Sequence, residues 1–312
     1  MFQTLNRSNS INKMKKSLII IGVLCNLQFG FAFQENQEVT IQVVPVSENI
    51  SMLVGQGGNI GILTGEDGVI MIDDQFAKLS DKIMATIETL SDQPIKFLVN
   101  THFHGDHTGG NANFQEKGAL IVAHENVRKR LKQNDNNPLG EGLPIVTFTE
   151  DVMLHVNNND VMITHVHNAH TDGDALIYFP TANVLHTGDT FFNGNFPYID
   201  LNSGGSVAGL IEAAEKGLMM INKDTRIIPG HGDLASMEDY KNYLAMLKGI
   251  QKNVQAAIEE GKTKEQIIAD ESLTSKYYKD ALVEKSFING PKIRETFYTS
   301  LTSITTSPHS KN

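Results

Sequence analysis

Apolar positions along the chain follow two patterns, short runs rich in Val and Ile and longer stretches with helical spacing. Between residues 39 and 74, polar residues and glycines separate the runs VTIQVVPV, ISMLV, NIGILTG and GVIMID, which is typical of an antiparallel meander. Residues 76–90 then carry apolar side chains at helical spacing, and Pro94 precedes another apolar run at 95–99. The chain therefore changes from hairpins to alternating helix and strand.

The order of hairpins followed by helix and strand occurs a second time, which predicts two similar halves. Further strands are predicted at 119–123, 152–156, 161–166, 176–179, 184–186 and 225–228, and further helices at 125–133, 207–221 and 237–260. Residues 134–144 and 191–205 contain too many Gly, Asn and Pro for either element, so they are predicted loops. Such loops often carry the residues that contact a ligand.

One loop concentrates side chains that can bind metal ions. The stretch Val99–Gly110, VNTHFHGDHTGG, carries His102, His104, Asp106 and His107 within six residues. Side chains two residues apart on an extended segment point the same way, so His102 and His104 can reach one ion. Asp106 and His107 follow a turn at a glycine and face a second position. The spacing predicts two metal ions, held by a loop rather than by a helix.

Three other segments place a metal-binding side chain beside a glycine or small residue near the end of a predicted strand. They contain His170 in NAHTDGD, Asp189 in LHTGDT and His231 in IPGHGD. The repetition of strand, turn and ligand favours one shared site over unrelated positions. His165 and His167 form a second H-x-H just before His170, and either is an alternative ligand.

Charge and the N-terminal segment narrow the class of protein. Residues 1–33 contain four basic residues and no acidic one, followed by an apolar run at 17–25, which is typical of a secretory signal peptide. That run is too short for a stable membrane span. Cys25 makes a lipoprotein the alternative, although Leu24 stands where a small residue is usual. We expect a periplasmic or secreted protein.

Removal of residues 1–33 would leave 22 basic against 36 acidic residues, a formal charge of −14, and no cysteine. An acidic surface argues against nucleic acid as a substrate, so we expect a small-molecule substrate. Any metal site in the remaining chain must use histidine and carboxylate. The sequence leaves the oligomeric state open.

The order HFHGDH, AHTDGD, HTGD and PGHG resembles that of the metallo-β-lactamase superfamily of hydrolases. The resemblance covers the chain from about residue 39 to the long helix near Tyr240. It implies an α/β fold, the four-layer αβ/βα sandwich with two mixed β-sheets flanked by helices, and a dinuclear site at one edge. The expected organisation is a signal peptide at 1–33 and a single catalytic domain with C-terminal helices at 34–312.

The resemblance also assigns ligands position by position. The first zinc ion would be held by His102, His104 and His170. The second would be held by Asp106, His107 and His231. Asp189 and a hydroxide would bridge the two ions, and Asp106 would orient that hydroxide as the catalytic residue. Iron or manganese remain alternatives to zinc, because they also bind imidazole and carboxylate.

Several residues near these motifs are candidates for supporting roles. Asp73 ends a predicted strand, and the superfamily often has an aspartate there that orients a ligand. His186 lies three residues before the bridging aspartate and is either a buried histidine or a second orienting residue. Tyr198 and Asp200 are candidates for the wall of the substrate pocket. His124 is expected on the surface.

The function implied is that of an exported zinc-dependent hydrolase that cleaves an amide or lactam, ester or thioester bond. Some β-lactamases of the superfamily place a cysteine at the second metal, and this chain has none there. A thioesterase or lactonase of the same fold is therefore an alternative. An iron-dependent redox enzyme on the same scaffold is another.

Overall fold

The computed structural model describes residues 39–133 and 140–303. Within them the chain forms two mixed β-sheets that pack face to face and carry helices on their outer faces. This is the αβ/βα sandwich that the sequence predicts. The predicted signal peptide at 1–33, with Cys25, and residues 134–139 of a predicted loop lie outside the described residues.

The first sheet contains seven strands in sequence order. They are β1 (Gln42–Pro45), β2 (Ile50–Val54), β3 (Ile60–Leu63), β4 (Val69–Ile72), β5 (Ile95–Val99), β6 (Leu120–His124) and β7 (Val146–Phe148). Strands β1 to β4 form the predicted antiparallel meander, whereas β4 to β7 run parallel. The parallel order brings the carboxyl ends of β4, β5 and β6 to one edge of the sheet.

The second sheet contains six strands in the order β13, β12, β11, β10, β9, β8. They are β8 (Asp151–Val156), β9 (Asn159–His165), β10 (Ala175–Phe179), β11 (Val184–His186), β12 (Arg226–Ile228) and β13 (Ala235–Ser236). Strands β9 and β11 are both antiparallel to β10, and β12 is parallel to β11. The carboxyl ends of β9, β11 and β12 therefore share one edge.

Nine α-helices are found among the described residues. They are α1 (Ser80–Glu88), α2 (Gly105–Thr108), α3 (Asn111–Glu116), α4 (Glu125–Lys132), α5 (Val207–Met220), α6 (Met237–Glu259), α7 (Lys264–Ala269), α8 (Asp280–Val283) and α9 (Gly290–Ser303). Helices α1 and α3 pack on the first sheet, and α5, α6 and α9 pack on the second. No helix in the described ranges is long and apolar enough to cross a membrane.

Alternating side chains along the strands produce the layers. In β4, Ile70 and Ile72 face the second sheet, whereas Val69 and Met71 face α1. Ile163 and Ile177 of the second sheet belong to the same buried cluster as Ile70 and Ile72. Every residue of β4 is buried because both of its faces are covered.

The structure differs from the sequence-based elements in four places. The metal-binding stretch is not entirely a loop, because Asp106 and His107 lie on the short helix α2, whose first bonds run from the N–H groups of His107 and Thr108 to the carbonyl of His104. Helix α3 and strands β7 and β13 were not predicted. The strands predicted at 152–156 and 161–166 do form a pair, and their connection turns on two asparagines with positive φ, which match the twist of the paired strands.

Candidate metal centre

Loops from both sheets meet at one edge of the sandwich and bring the predicted ligands together. The loop and short helix after β5 carry His102, His104, Asp106 and His107. The segments after β9, β11 and β12 carry His170, Asp189 and His231. Ligand atoms from these residues form three overlapping groups, each within 4.8 Å, that could hold a metal ion. Seven residues spread over 130 positions of sequence therefore converge on one small volume.

The first group consists of three histidines, His102, His104 and His170. His170 Nε2 lies 2.9 Å from His104 Nδ1. Asp189 Oδ2 lies 3.6 Å from His170 Nε2 and 3.9 Å from His102 Nε2. His102 and His170 are fully buried. The donor atoms are the imidazole nitrogens and carboxylate oxygens that zinc prefers when thiolate is absent.

The second group consists of Asp106, His107 and His231. Asp106 Oδ2 lies 3.3 Å from His231 Nε2 and 3.7 Å from His107 Nε2. Asp189 Oδ1 lies 3.0 Å from His107 Nε2 and 3.4 Å from His231 Nε2. The two oxygens of Asp189 thus face different groups, so this one carboxylate can serve both.

Hydrogen bonds on the outer side of the first group leave lone pairs pointing inward. His170 Nδ1 donates to the carbonyl of Tyr198 at 2.8 Å, and His104 Nε2 donates to Asp200 at 3.1 Å. In the neutral rings, His170 Nε2 and His104 Nδ1 are then both acceptors, yet they lie 2.9 Å apart. Two acceptors at this distance repel each other unless a cation binds both. The pair therefore fits a metal ion.

Buried polar atoms without partners support the same conclusion. His102 Nε2, His107 Nε2 and Asp189 Oδ1 are buried and make no hydrogen bond of good geometry. Unpaired buried polar atoms are costly, and most proteins avoid them. A cation between these atoms would satisfy all three.

Asp73 is linked by hydrogen bonds, directly or through Thr101, to a candidate ligand of each group. Its Oδ2 accepts hydrogen bonds from His107 Nδ1 and from Thr101 Oγ1, each at 2.7 Å. Thr101 Oγ1 in turn accepts a hydrogen bond from His102 Nδ1 at 3.0 Å. This network fixes the tautomers so that both Nε2 atoms face the centre. The placement agrees with the orienting role expected for Asp73.

The remaining sequence candidates lie in different places. Asp200 is buried and contacts His104, so it supports a ligand rather than forming the pocket wall that its sequence position indicated. The ring of Tyr198 does line the cavity above the centre. The hydrogen bonds of His186 go to backbone groups rather than to the candidate ligands. Its Nε2 donates to the carbonyl of Asn59, and its Nδ1 accepts from the N–H of Gly188.

The second H-x-H lies outside the metal-binding groups. His165 Nδ1 donates to the carbonyl of Asp174 at 2.8 Å, and its ring stacks on that of His124 at 3.8 Å. His167 is exposed near Glu150. The expectation that His124 lies on the surface was wrong, because packing of the second sheet against β6 leaves it only 4% exposed.

Thr101 and Gly58 are two site residues that sequence reasoning missed. Thr101 relays the hydrogen bond between His102 and Asp73, and only its position beside a ligand could have indicated this role. A Cβ atom at Gly58 would lie 2.1 Å from the ring of His107, so only glycine fits there. The concentration of glycines at residues 55–58 was the one indication in the sequence that another part of the chain approaches closely there.

Burial and neighbouring charges shift the pKa values of the ligands. Burial lowers the pKa of His102 and of His170, which favours the neutral rings that bind metals. Burial alone would raise the pKa of Asp189, but His107 and His231 outweigh it and hold that pKa well below its usual value. Burial opposes protonation of His231, yet Asp189 and Asp106 raise its pKa to about 9.

The fold and the candidate ligand groups together define a class of protein, a two-sheet sandwich with a candidate metal centre at one edge. A family model described as the metallo-beta-lactamase superfamily matches residues 53–231, which include all seven ligands. The chain belongs to this superfamily. Its members bind metal ions, and the histidine and aspartate groups of this chain are able to do so.

Two curated relatives carry different names. The chain is 30% identical to a hydroxyacylglutathione hydrolase of Pelagibacter ubique over 151 residues, which are 46% of this chain and 56% of that protein. It is 22% identical to metallo-beta-lactamase IND-1 of Chryseobacterium indologenes over 231 residues, or 70% and 93% of the two chains. The chain spans about half the length of the hydroxyacylglutathione hydrolases that it matches.

A solved metallo-beta-lactamase from Pontibacter korlensis shares the fold. Its TM-score is 0.60 at 19% identity, and the superposition covers 67% of this chain and 99% of that chain. The sandwich architecture predicted from the sequence is thus confirmed. The part of this chain beyond such a superposition amounts to about a third of its length.

Proposed function

We propose that the chain is an exported zinc-dependent hydrolase that cleaves an amide or lactam, ester or thioester bond. The carrying observation is the pair of acceptor nitrogens on His104 and His170, 2.9 Å apart beside a carboxylate that faces two ligand groups. The names of the two relatives, which refer to hydroxyacylglutathione and to β-lactams, support an acyl bond as the target. Export rests on the sequence of residues 1–33 alone.

In this proposal the seven residues would hold two zinc ions. His102, His104 and His170 would hold one, Asp106, His107 and His231 would hold the other, and Asp189 lies within reach of both groups. When bound, zinc would supply a Lewis acid for the scissile carbonyl and lower the pKa of a water molecule to about 7.

The residues of the chain then position the reactants. Asp106 is partly exposed at the floor of the cavity, and His231 and His107 lower its pKa against the effect of burial, so it is ionised at neutral pH. Its carboxylate can accept a hydrogen bond from a water molecule and so orient it towards a carbonyl above. His102 and His107 are fully buried and exclude other water from beneath the centre.

The test combines metal content with activity. The purified chain, loaded with zinc, is expected to bind two zinc ions by elemental analysis and to hydrolyse at least one of a chromogenic cephalosporin, a thioester and a lactone. His102→Ala should lower kcat/KM by more than about 100-fold, beyond the range of about 10–100-fold typical for residues that only orient a ligand.

His155→Ala is the matched control, because His155 is exposed and its ring nitrogen pairs with the exposed Asp160. Its activity should equal that of the unchanged chain. A protein that holds two zinc ions and cleaves none of the three substrates would refute the proposed function. Full activity in His102→Ala would refute the ligand assignment.

A further inference from the structure

The metal centre opens into a cavity of about 660 Å³, a volume typical of small-molecule sites, which span roughly 300–1,000 Å³. The ligands His104, Asp106, Asp189 and His231 form its floor. Its walls are mainly aromatic and come from three separate segments of the chain. The apolar wall residues are Phe76, Phe192, Phe196, Tyr198, Phe287 and Ile288, and the uncharged polar residues Asn195 and Ser286 lie among them. No lysine or arginine of the described residues lines this cavity.

Phe287 extends this wall outward. It lies between α8 and α9 and is 72% exposed. Its ring meets the edge of Tyr198 at 5.5 Å, and Tyr198 stacks on the metal-binding ring of His104 at 5.8 Å. An unbroken series of rings thus leads from the mouth of the cavity to a proposed ligand. A large apolar side chain left in water at this position offers contact area to a bound molecule.

The segment that carries Phe287 is held in place by polar contacts to α9. Arg294 on α9 is 1% exposed and pairs with both oxygens of Asp280 at 2.8 and 2.9 Å. Lys292 Nζ donates to the carbonyl of Phe287 at 2.8 Å and lies 5.4 Å from the centre of its ring. The neighbouring Ile288 is buried in the core of the second half.

The family match ends at residue 231, so Phe287 and Ile288 belong to a part of the chain outside it. Their position relative to the centre is therefore a feature of this chain's own C-terminal helices. We infer that Phe287, with Tyr198 and Phe196, selects substrates in which an uncharged apolar group adjoins the scissile carbonyl. This inference rests on the proposed function and specifies its substrate class.

The physical reason is the difference between burying a ring and burying a carboxylate. An apolar group against Phe287 and Tyr198 removes hydrocarbon surface of both partners from water. A carboxylate against the rings of Tyr198 and Phe196 would lose its hydration, and none of the described residues that line the cavity is a lysine or an arginine. Lys292 lies beside the Phe287 ring, but its ammonium group donates to the carbonyl of Phe287. The wall therefore selects substrates by the group beside the scissile carbonyl, whereas the carbonyl itself is the target of the proposed metal centre.

Binding of two uncleavable ketones tests the inference without requiring turnover. The zinc-loaded chain is titrated with 4-phenyl-2-butanone, which carries a phenyl group, and with levulinate, which carries a carboxylate, and binding is followed by NMR. The phenyl ketone should bind at least about tenfold more tightly. Phe287→Ala should weaken its binding by about tenfold and leave levulinate unchanged.

Leu282→Ala is the matched control, because Leu282 is 77% exposed in the same region and does not line the cavity. It should bind both ketones as the unchanged chain does. Equal affinity for the two ketones, or a Phe287→Ala variant that binds the phenyl ketone normally, would overturn the inference.

A kinetic comparison then separates this inference from the proposed function. Phenylacetyl and succinyl thioesters share the scissile bond and differ in charge. If the chain cleaves both, Phe287→Ala should raise KM for the phenylacetyl thioester about tenfold with little change in kcat. If it cleaves the succinyl thioester better, the inference fails and the hydrolase proposal stands. If it cleaves no acyl substrate yet binds the phenyl ketone through Phe287, only the hydrolase proposal fails.

Discussion

Asp73 shows how one buried side chain can serve two ligand groups. Its backbone has a φ of 61°, in the left-handed region that few residues other than Gly, Asn and Asp adopt. In this conformation the carboxylate reaches His107 directly and His102 through Thr101. Asparagine tolerates the same backbone conformation, so replacing Asp73 by Asn changes the carboxylate without straining the chain.

Asp73→Asn should lower zinc affinity by about 10–100-fold, because the amide cannot accept both hydrogen bonds with a charged oxygen. Competition with a chromophoric chelator measures this change, and circular dichroism confirms that the variant is folded. Asp92→Asn, at an exposed site away from the centre, is the control and should bind zinc normally. Unaltered zinc affinity in Asp73→Asn would show that the network does not orient the ligands.

Local spacing was enough to predict which residues could bind metal. His102, His104, Asp106 and His107 are candidates because four potential ligands lie within six residues, and the structure brings them into groups that could hold an ion. The contact of Asp200 with His104 was not predicted, because it spans 96 residues and depends on how two loops pack. No local pattern encodes such a contact, since it forms only when the sheets assemble.

At the scale of elements, strands and long helices followed the hydrophobic pattern closely. Strand β5 and helix α6 begin where the sequence predicts them. Short elements were not predicted because they contain too few residues to show a full period of the hydrophobic pattern. Helix α2 has four residues and β13 has two, and two of the three residues of β7 are exposed.

The C-terminal helices are joined by one ion pair in which the guanidinium is buried and the carboxylate is partly exposed. The Arg294 guanidinium bonds Asp280, the hydroxyl of Thr274 and the carbonyl of Ile268, and so joins α9 to three preceding segments. Arg294→Met leaves these groups without their donor. It should lower the free energy of unfolding by about 2 kcal/mol, below the loss of about 3–5 kcal/mol for a fully buried pair, because Asp280 can still contact water.

Denaturant unfolding of the zinc-loaded chain measures this loss. Lys264→Met provides the comparison. Lys264 on α7 also pairs with a residue of α9, Glu295, but this pair lies at the surface. Exposed pairs contribute little, so this variant should unfold as the unchanged chain does. Equal stability of the two variants would show that Arg294 does not hold the C-terminal helices together.

At the scale of the whole molecule, the proposed metal centre lies between the two sheets. Four ligands follow a strand of the first sheet, and three follow strands of the second. Bound metal would therefore connect the two halves of the sandwich in the folded state. The repeated order of elements predicted two halves that face each other, and the structure adds which side chains of the two sheets make the contact.

Removal of the metal should therefore lower the melting temperature. A ligand at 1,000 times its Kd stabilises the folded state by about 4 kcal/mol, which corresponds to a decrease of about 10 °C when it is lost from a chain of this size. Calorimetry before and after treatment with EDTA measures the shift. Zinc should restore the original value and magnesium should not, because imidazole ligands disfavour magnesium. An unchanged melting temperature would refute a structural contribution of the metal.

The series of aromatic rings from Phe287 to His104 also has a consequence for the evolution of this protein. The ligands lie between residues 102 and 231, whereas the outermost ring of the wall comes from residues 286–288. If Phe287 selects substrates as inferred above, mutations at Ser286 and Phe287 would alter which molecules are accepted without disturbing the candidate metal ligands, whereas Ile288 belongs to the buried core. Reaction and substrate range would then be separable traits in this chain, and a mutant library confined to Ser286 and Phe287 would be a compact starting point for evolving new activities.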